Sequence, residues 1–281
     1  MPTPTFGTVT RGTTNTNRLR RVDRWIAHLE AFQLATDPLV VDLGFGSSVV
    51  TTLELHERLS KVRPDVEIIG IEIDPSRVVT AQKTLLDVRE GHTHFAPDLR
   101  VEITQGGFEI PLPPGRKAAV IRAFNVLRQY DESQVSDAWS RMCEQLQPEG
   151  VLIEGTCDEI GRVASWITVG KLGPRTLTLA LRMSGLESPS IVAQRLPKAL
   201  IHHNIPGEPV HAFLTDLERL WNVHAPLRTY GYRQRWLAVA RGMREKGWPV
   251  RGGIARWRLG ELTVEWDAVS PHSKTRILGP R

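Results

Sequence analysis

Apolar residues in the first 157 positions fall in short compact runs separated by stretches of helical period. Leu19, Val22, Ile26 and Leu29 recur at helical spacing with arginines on the opposite face, which predicts a first helix with Asn17 at its cap. The run at 39–43 predicts a strand, followed by the small-residue segment 44–48 and a helical pattern over 49–59. A β-rich run at 66–73 stops before Pro75, a residue tolerated in a first helical turn, and Val78, Val79, Leu85 and Leu86 mark the helix it opens. Further strands are predicted at 99–104, 118–126 and 151–155, with a helix over 132–146 and a turn at Pro148-Glu149-Gly150. Strands separated by helical segments of about ten to fifteen residues are βαβ units, so these five predict an α/β, doubly wound, mostly parallel Rossmann-like sheet.

Beyond residue 160 the period changes. Segments 163–169 and 176–183 read as strands joined by a turn at Lys171-Leu172-Gly173-Pro174, an antiparallel hairpin. A helical stretch over 191–243 is broken at Pro206 and Pro226, and 254–266 is β-like with a turn near Gly260. The chain of 281 residues divides on this reading into a flexible arm (1–17), a Rossmann-like domain (18–185) and a C-terminal mixed α+β extension (186–281) that shapes a substrate cleft.

Composition narrows the class. No run approaches the roughly 18 apolar residues of a membrane span, the first thirty residues lack the apolar core of a secretory signal, and Cys143 and Cys157 are too few for a disulfide framework. A cytoplasmic location is expected. The net charge of +5 invites a nucleic-acid partner, but 29 of the 36 basic residues are Arg and acidic residues are scattered among them. Only the start is uneven, where Arg11, Arg18, Arg20, Arg21 and Arg24 face Asp23 alone. A solvated helix face is the simpler account of that stretch and a nucleic-acid arm the sharper one.

The sharpest local signal is Val40-Val41-Asp42-Leu43-Gly44-Phe45-Gly46-Ser47-Ser48, a strand running into a small-residue loop and then a helix. In an open α/β sheet the ligand crevice lies beyond the carboxyl ends of the strands. Gly44 and Gly46 permit close approach to the backbone, and amides at the following helix start favour an electronegative group. Glu72 ends the second strand beside this loop, suited to accept hydrogen bonds from ribose hydroxyls, while Asp74 is the expected cap of the helix that Pro75 begins. A dinucleotide fingerprint requires a third glycine where Val49 stands, and an acid about 20 residues on, not 28. S-adenosyl-L-methionine carries no phosphate and needs no such cradle, so the departures favour it as cofactor.

On these residues the first 157 positions resemble the class I S-adenosylmethionine-dependent methyltransferases. Asp42, Gly44, Phe45, Gly46 and Ser47 are similar to the family's first motif, and Glu72 with Ile73 to its ribose-binding strand end. Gly106, Gly107 and Phe108 stand where the adenine is held, Gly107 replacing the family's aspartate, and Ser48 replaces a third glycine. Ala123 and Phe124 lie at the fourth-strand end, and Leu146-Gln147-Pro148-Glu149-Gly150 resembles the family's approach to strand five. The resemblance implies methyl transfer, with Asn125, Arg122 and Tyr130 as substrate-side candidates.

The methyl acceptor is open between a small molecule, slightly favoured by the diffuse charge, and RNA. A catalytically silent S-adenosylmethionine sensor is a third reading, and an aminopropyl transferase ranks last because the fourth-strand end is basic. His202-His203, with His211 and His224, does not predict a metal, since adjacent histidines point to different faces. Trp221, Trp236, Trp248, Trp257 and Trp266, interleaved with arginines, are read as the core of a small subdomain under long arginine side chains rather than a base-stacking surface.

Overall fold

The computed structural model describes residues 5–9, 12 and 14–272, so Arg11 of the basic N-terminal stretch lies outside the described residues. The chain forms two compact units. One holds the residues up to Arg162 with Thr168–Pro174, and the other holds Val163–Ile167 and the chain from Arg175 onward.

In the first unit, strands β1 (Leu39–Leu43), β2 (Glu67–Glu72), β3 (Val101–Gln105), β4 (Ala118–Phe124) and β5 (Leu146–Cys157) lie in the order β3-β2-β1-β4-β5. All four pairings are parallel, with Val41 opposite both Ile69 and Ile121. Buried on both faces, such strands read as nearly continuous apolar runs, and every residue of β1 and β4 is buried. This order reverses direction at β1 and β4, which puts the crevice of a doubly wound sheet at their carboxyl ends. Helices α1 (Arg20–Ile26), α2 (Glu30–Gln33), α3 (Val50–Leu59), α4 (Pro75–Arg89) and α5 (Val135–Glu144) accompany the strands. Asp74 caps α4 by accepting the Ser76 N–H at 2.8 Å, with Pro75 opening the helix.

Two local expectations fail for identifiable reasons. Asn17 does not cap α1: it takes a left-handed conformation (φ 58°), and its N–H donates to the Glu54 carboxylate at 2.8 and 2.9 Å. The expected turn at 148–150 is absorbed into β5, whose register against β4 shifts between Ala118 and Val120, so the extra residues are taken up as a bulge.

The division between the units falls within β6 (Val163–Gly170) and β7 (Gly173–Leu181), earlier than the boundary near 185 that the sequence suggests. The second unit contains helices α6 (Lys198–Ile201), α7 (Pro209–Val223), α8 (Tyr232–Glu245) and α9 (Ile254–Trp257), and the short strands β8 (Val250–Arg251) and β9 (Glu261–Glu265). β9 pairs antiparallel with both β7 and β8, and the Thr178 and Thr263 hydroxyls meet at 2.9 Å across the first pairing. The stretch 254–266 is therefore strand only from Glu261, because its first turn coils into α9. Trp221, Trp236 and Trp257 are buried, and Arg235 stacks 3.8 Å from the Trp221 ring while donating to its carbonyl. These aromatics are core, with arginine laid over them. No helix among the described residues is long and apolar enough to cross a membrane.

Candidate functional site

The loop after β1 is shaped by backbone that only glycine adopts readily. Gly44 and Gly46 have φ of 73° and 79°, and a Cβ on Gly44 would stand 2.6 Å from the Val126 side chain. The Gly44 N–H donates to the Ile71 carbonyl at 2.7 Å, tying the loop to the end of β2. Ser48, in place of a third glycine, accepts the Val50 N–H at 3.3 Å and so serves the start of α3.

Across from this loop Glu72 is 1% exposed. One carboxylate oxygen accepts the Gly46 N–H at 2.8 Å. The other accepts the N–H groups of Ile73 (3.0 Å) and Asp74 (3.3 Å) and lies 3.7 Å from the Arg77 guanidinium. A carboxylate has about four lone-pair positions, so the oxygen facing Gly46 keeps one acceptor position for a hydroxyl. Four polar partners on this buried acid fix its direction.

The carboxyl end of β3 completes the crevice. The Gly106 N–H donates to the Glu72 carbonyl at 3.1 Å, and the Phe108 ring packs 5.2 Å from that of Tyr130. Where the sequence lacks an acid, at Gly107, the Glu109 carboxylate reaches back and accepts the Gly107 N–H at 2.7 Å. Glu109 is a functional candidate that sequence reasoning missed; its only local signal is an acid two residues beyond a glycine pair. Leu43, Gly44, Glu72, Ile73, Gly107 and Tyr130 line one pocket, with Phe6 and Thr8 of the N-terminal arm closing it. The space left open is only about 20 Å³.

Other expected residues lie elsewhere. Arg122, placed by the sequence on the substrate side, is 0% exposed and directed into the core. It donates to both oxygens of Asp42 (2.8 and 2.7 Å), to Asp23 and to the Thr51 carbonyl (3.1 Å). Asp42, expected to touch the cofactor, spends its carboxylate on Arg122 and on the Thr52 hydroxyl at 2.7 Å. Asp23 is also bound by Arg58 at 2.6 Å. Ala123 and Phe124 are buried in β4. Asn125 is left-handed (φ 60°), and its amide bridges to the end of β5, accepting the Cys157 N–H at 3.0 Å and donating to Cys157 Sγ at 3.3 Å. Burial pushes the Cys157 thiol pKa upward, keeping it protonated. Phe45 is buried beneath the loop, whereas Ser47 is exposed on it. Asp87, Glu90 and His92 form an exposed group of potential metal ligands, none of which lines the crevice.

No protein-family model and no curated protein matches the chain. Among solved structures it is similar to the mitomycin 7-O-methyltransferase MmcR, at 22% identity and a TM-score of 0.36, over 50% of this chain and 36% of that one. It is also similar to the O-methyltransferase NcsB1 from neocarzinostatin biosynthesis, in complex with S-adenosyl-L-homocysteine and 1,4-dihydroxy-2-naphthoic acid, at 21% identity and a TM-score of 0.33, over 48% and 40%. A third is the plantazolicin methyltransferase BpumL in complex with S-adenosyl-L-homocysteine, at 12% identity and a TM-score of 0.35, over 50% and 48%. The chain spans between about a third and a half of the length of these structures. The chemistry of the crevice therefore rests on its own geometry, a glycine loop in left-handed backbone facing a buried acid at the switch point of a Rossmann-like sheet.

Proposed function

We propose that the first unit is a methyltransferase that binds S-adenosyl-L-methionine in the crevice beyond β1, β2 and β3. The observation that carries this is Glu72, a buried carboxylate at the end of β2 with one acceptor position left, facing Gly46 across a glycine loop. The residues present suit that cofactor. The loop has no cradle for a pyrophosphate, its glycines admit a ligand close to the backbone, and Glu72 suits a ribose hydroxyl. Ile73 and the Phe108 N–H lie where an adenine would be held, and Glu109 offers the acid that Gly107 lacks. When bound, the cofactor supplies a methyl group already activated on a sulfonium.

The protein's own contribution is alignment and exclusion of water, worth several kcal/mol when a nucleophile is held in line. A general base is required only for a nucleophile protonated at working pH. Tyr130, with its ring against Phe108 and its hydroxyl in the pocket, is the substrate-side residue this reading retains. We assign Asn125 and Arg122 to positioning, because their polar groups are committed to Cys157 and to Asp42 and Asp23.

The acceptor is proposed to be a small molecule. Three arginines of the basic N-terminal stretch are engaged with backbone carbonyls: Arg18 with Asp158 at 2.9 Å, Arg20 with Ile160 at 2.9 Å and Arg21 with Gly161 at 3.1 Å. Guanidinium groups held this way are poorly placed to follow a phosphate backbone.

Calorimetric titration with S-adenosyl-L-methionine and S-adenosyl-L-homocysteine tests the cofactor directly. Micromolar binding is expected, weakened about tenfold to hundredfold by Glu72→Ala as a charged hydrogen-bonding partner is lost. Equal affinity in wild type and variant would remove Glu72 from the site.

A further inference from the structure

The arm is bonded to the same groups that the proposed cofactor would need. The Phe6 carbonyl accepts the Phe108 N–H at 2.9 Å, and the Phe6 N–H donates to the Glu109 carboxylate at 2.8 Å. One residue thus presents an acceptor and a donor on the same backbone edge, the pattern that the Watson–Crick edge of adenine shows through its ring nitrogen and its amine. At the other end of the crevice the Gly12 carbonyl accepts the Ser47 N–H at 2.8 Å, on the loop where a carboxylate ligand would be received. Between them Thr8 exchanges two hydrogen bonds with the Tyr130 hydroxyl, its N–H donating at 2.6 Å and its carbonyl accepting at 3.1 Å.

The fit is close at several points. A Cβ on Gly107 would meet the Phe6 carbonyl at 2.0 Å, and one on Gly46 would meet the Gly12 carbonyl at 2.7 Å. Both glycines are therefore used by the arm itself. The Arg141 guanidinium covers the Phe6 ring at 4.0 Å, and the Thr14 hydroxyl donates to the Phe45 carbonyl at 2.8 Å. With the arm seated, the remaining space of about 20 Å³ admits roughly one water molecule. Sites for ligands of cofactor size span roughly 300–1,000 Å³.

We propose that the arm, through Phe6, Thr8 and Gly12, is an intramolecular occupant of the cofactor crevice, and that it and the nucleoside cofactor bind in mutually exclusive fashion. The inference rests on the cofactor reading above and goes beyond it, because a lid would close over a bound ligand, whereas this arm takes the ligand's own donors and acceptors. Release of the arm is then a required step before binding, and anything that captures the arm outside the crevice raises the affinity for cofactor.

The test uses the full chain with Gly7→Val and Gly12→Val combined. Both positions have positive φ (137° and 65°), which a β-branched residue does not tolerate, and neither belongs to the proposed binding machinery. If the arm occupies the crevice about nine-tenths of the time, freeing it raises affinity for S-adenosyl-L-homocysteine about tenfold, because apparent affinity scales with the competent fraction. Unchanged or weaker binding overturns the proposal, the weaker result identifying a lid. Hydrogen exchange on the wild type gives a second readout independent of the variant. Adding S-adenosyl-L-homocysteine should deprotect the amides of Phe6 and Thr8 while Ser47 and Phe108 stay protected; protection gained by the arm overturns it. Absence of binding by both proteins removes the cofactor reading together with this one, whereas equal binding removes only the arm.

Discussion

Arg122→Met is expected to destabilise the first unit by about 3–5 kcal/mol, the largest effect of any single substitution considered, because it leaves buried carboxylates short of their partner. Arg122 and Asp23 are 0% exposed and Asp42 is 3% exposed. In the variant Asp42 retains only the Thr52 hydroxyl and Asp23 only Arg58 among the partners described above. The stem of methionine fills much of the arginine's volume, so loss of packing is a minor part of the cost. Urea unfolding measures the change, with midpoint and slope followed together. A second protein separates the causes: Arg122→Met combined with Asp23→Asn and Asp42→Asn removes the stranded charges and should recover most of the loss. If the triple variant is no more stable than the single one, the network contributes by packing rather than by charge. Since Asp42 stands two residues before Gly44, a loosened network is also expected to reach the glycine loop.

The second large effect is a dependence of stability on pH set by Glu154. This carboxyl on β5 is completely buried, and burial pushes its pKa up from 4.5 to about 8, against a smaller lowering by the Trp139 indole beside it. The folded protein therefore holds this proton at neutral pH, whereas the unfolded chain releases it near 4.5. Between those values the folded state binds more protons, so this group's contribution makes stability fall as pH rises, by up to about 1.4 kcal/mol per unit. From pH 4.5 to 7 the loss is about 3 kcal/mol. Glu154→Gln keeps the shape and removes the titration. It should match wild type near pH 4.5, exceed it by about 3 kcal/mol at pH 7, and exceed it further at pH 8. Urea unfolding of both proteins at pH 5, 7 and 8.5 decides the matter; parallel pH profiles would show that Glu154 does not carry this dependence.

What the sequence determined by itself is what adjacent residues decide among themselves. The five βαβ strands, the cap by Asp74, the glycine loop after β1, and the acid closing β2 all follow from local period, turn chemistry and strand-end position. Their partners are within a few residues or on a neighbouring strand that the βαβ pattern already implies. The tertiary structure decided where long side chains and an unpatterned segment find their partners. Arg122 sits at the end of a strand that should face substrate, yet its guanidinium turns to Asp42 and Asp23, 80 and 99 residues away. Periodicity assigns a face to a strand residue but not the charge that waits there. Glu109 was invisible for the same reason, since its role depends on reaching back to Gly107 and across to Phe6. The arm shows this most fully. Its threonines, prolines and glycines carry no period and read as loose chain, but backbone donors and acceptors need no side-chain pattern to bind. Only the folded crevice, with the N–H groups of Ser47 and Phe108 left for a partner, gives Phe6 and Gly12 their place.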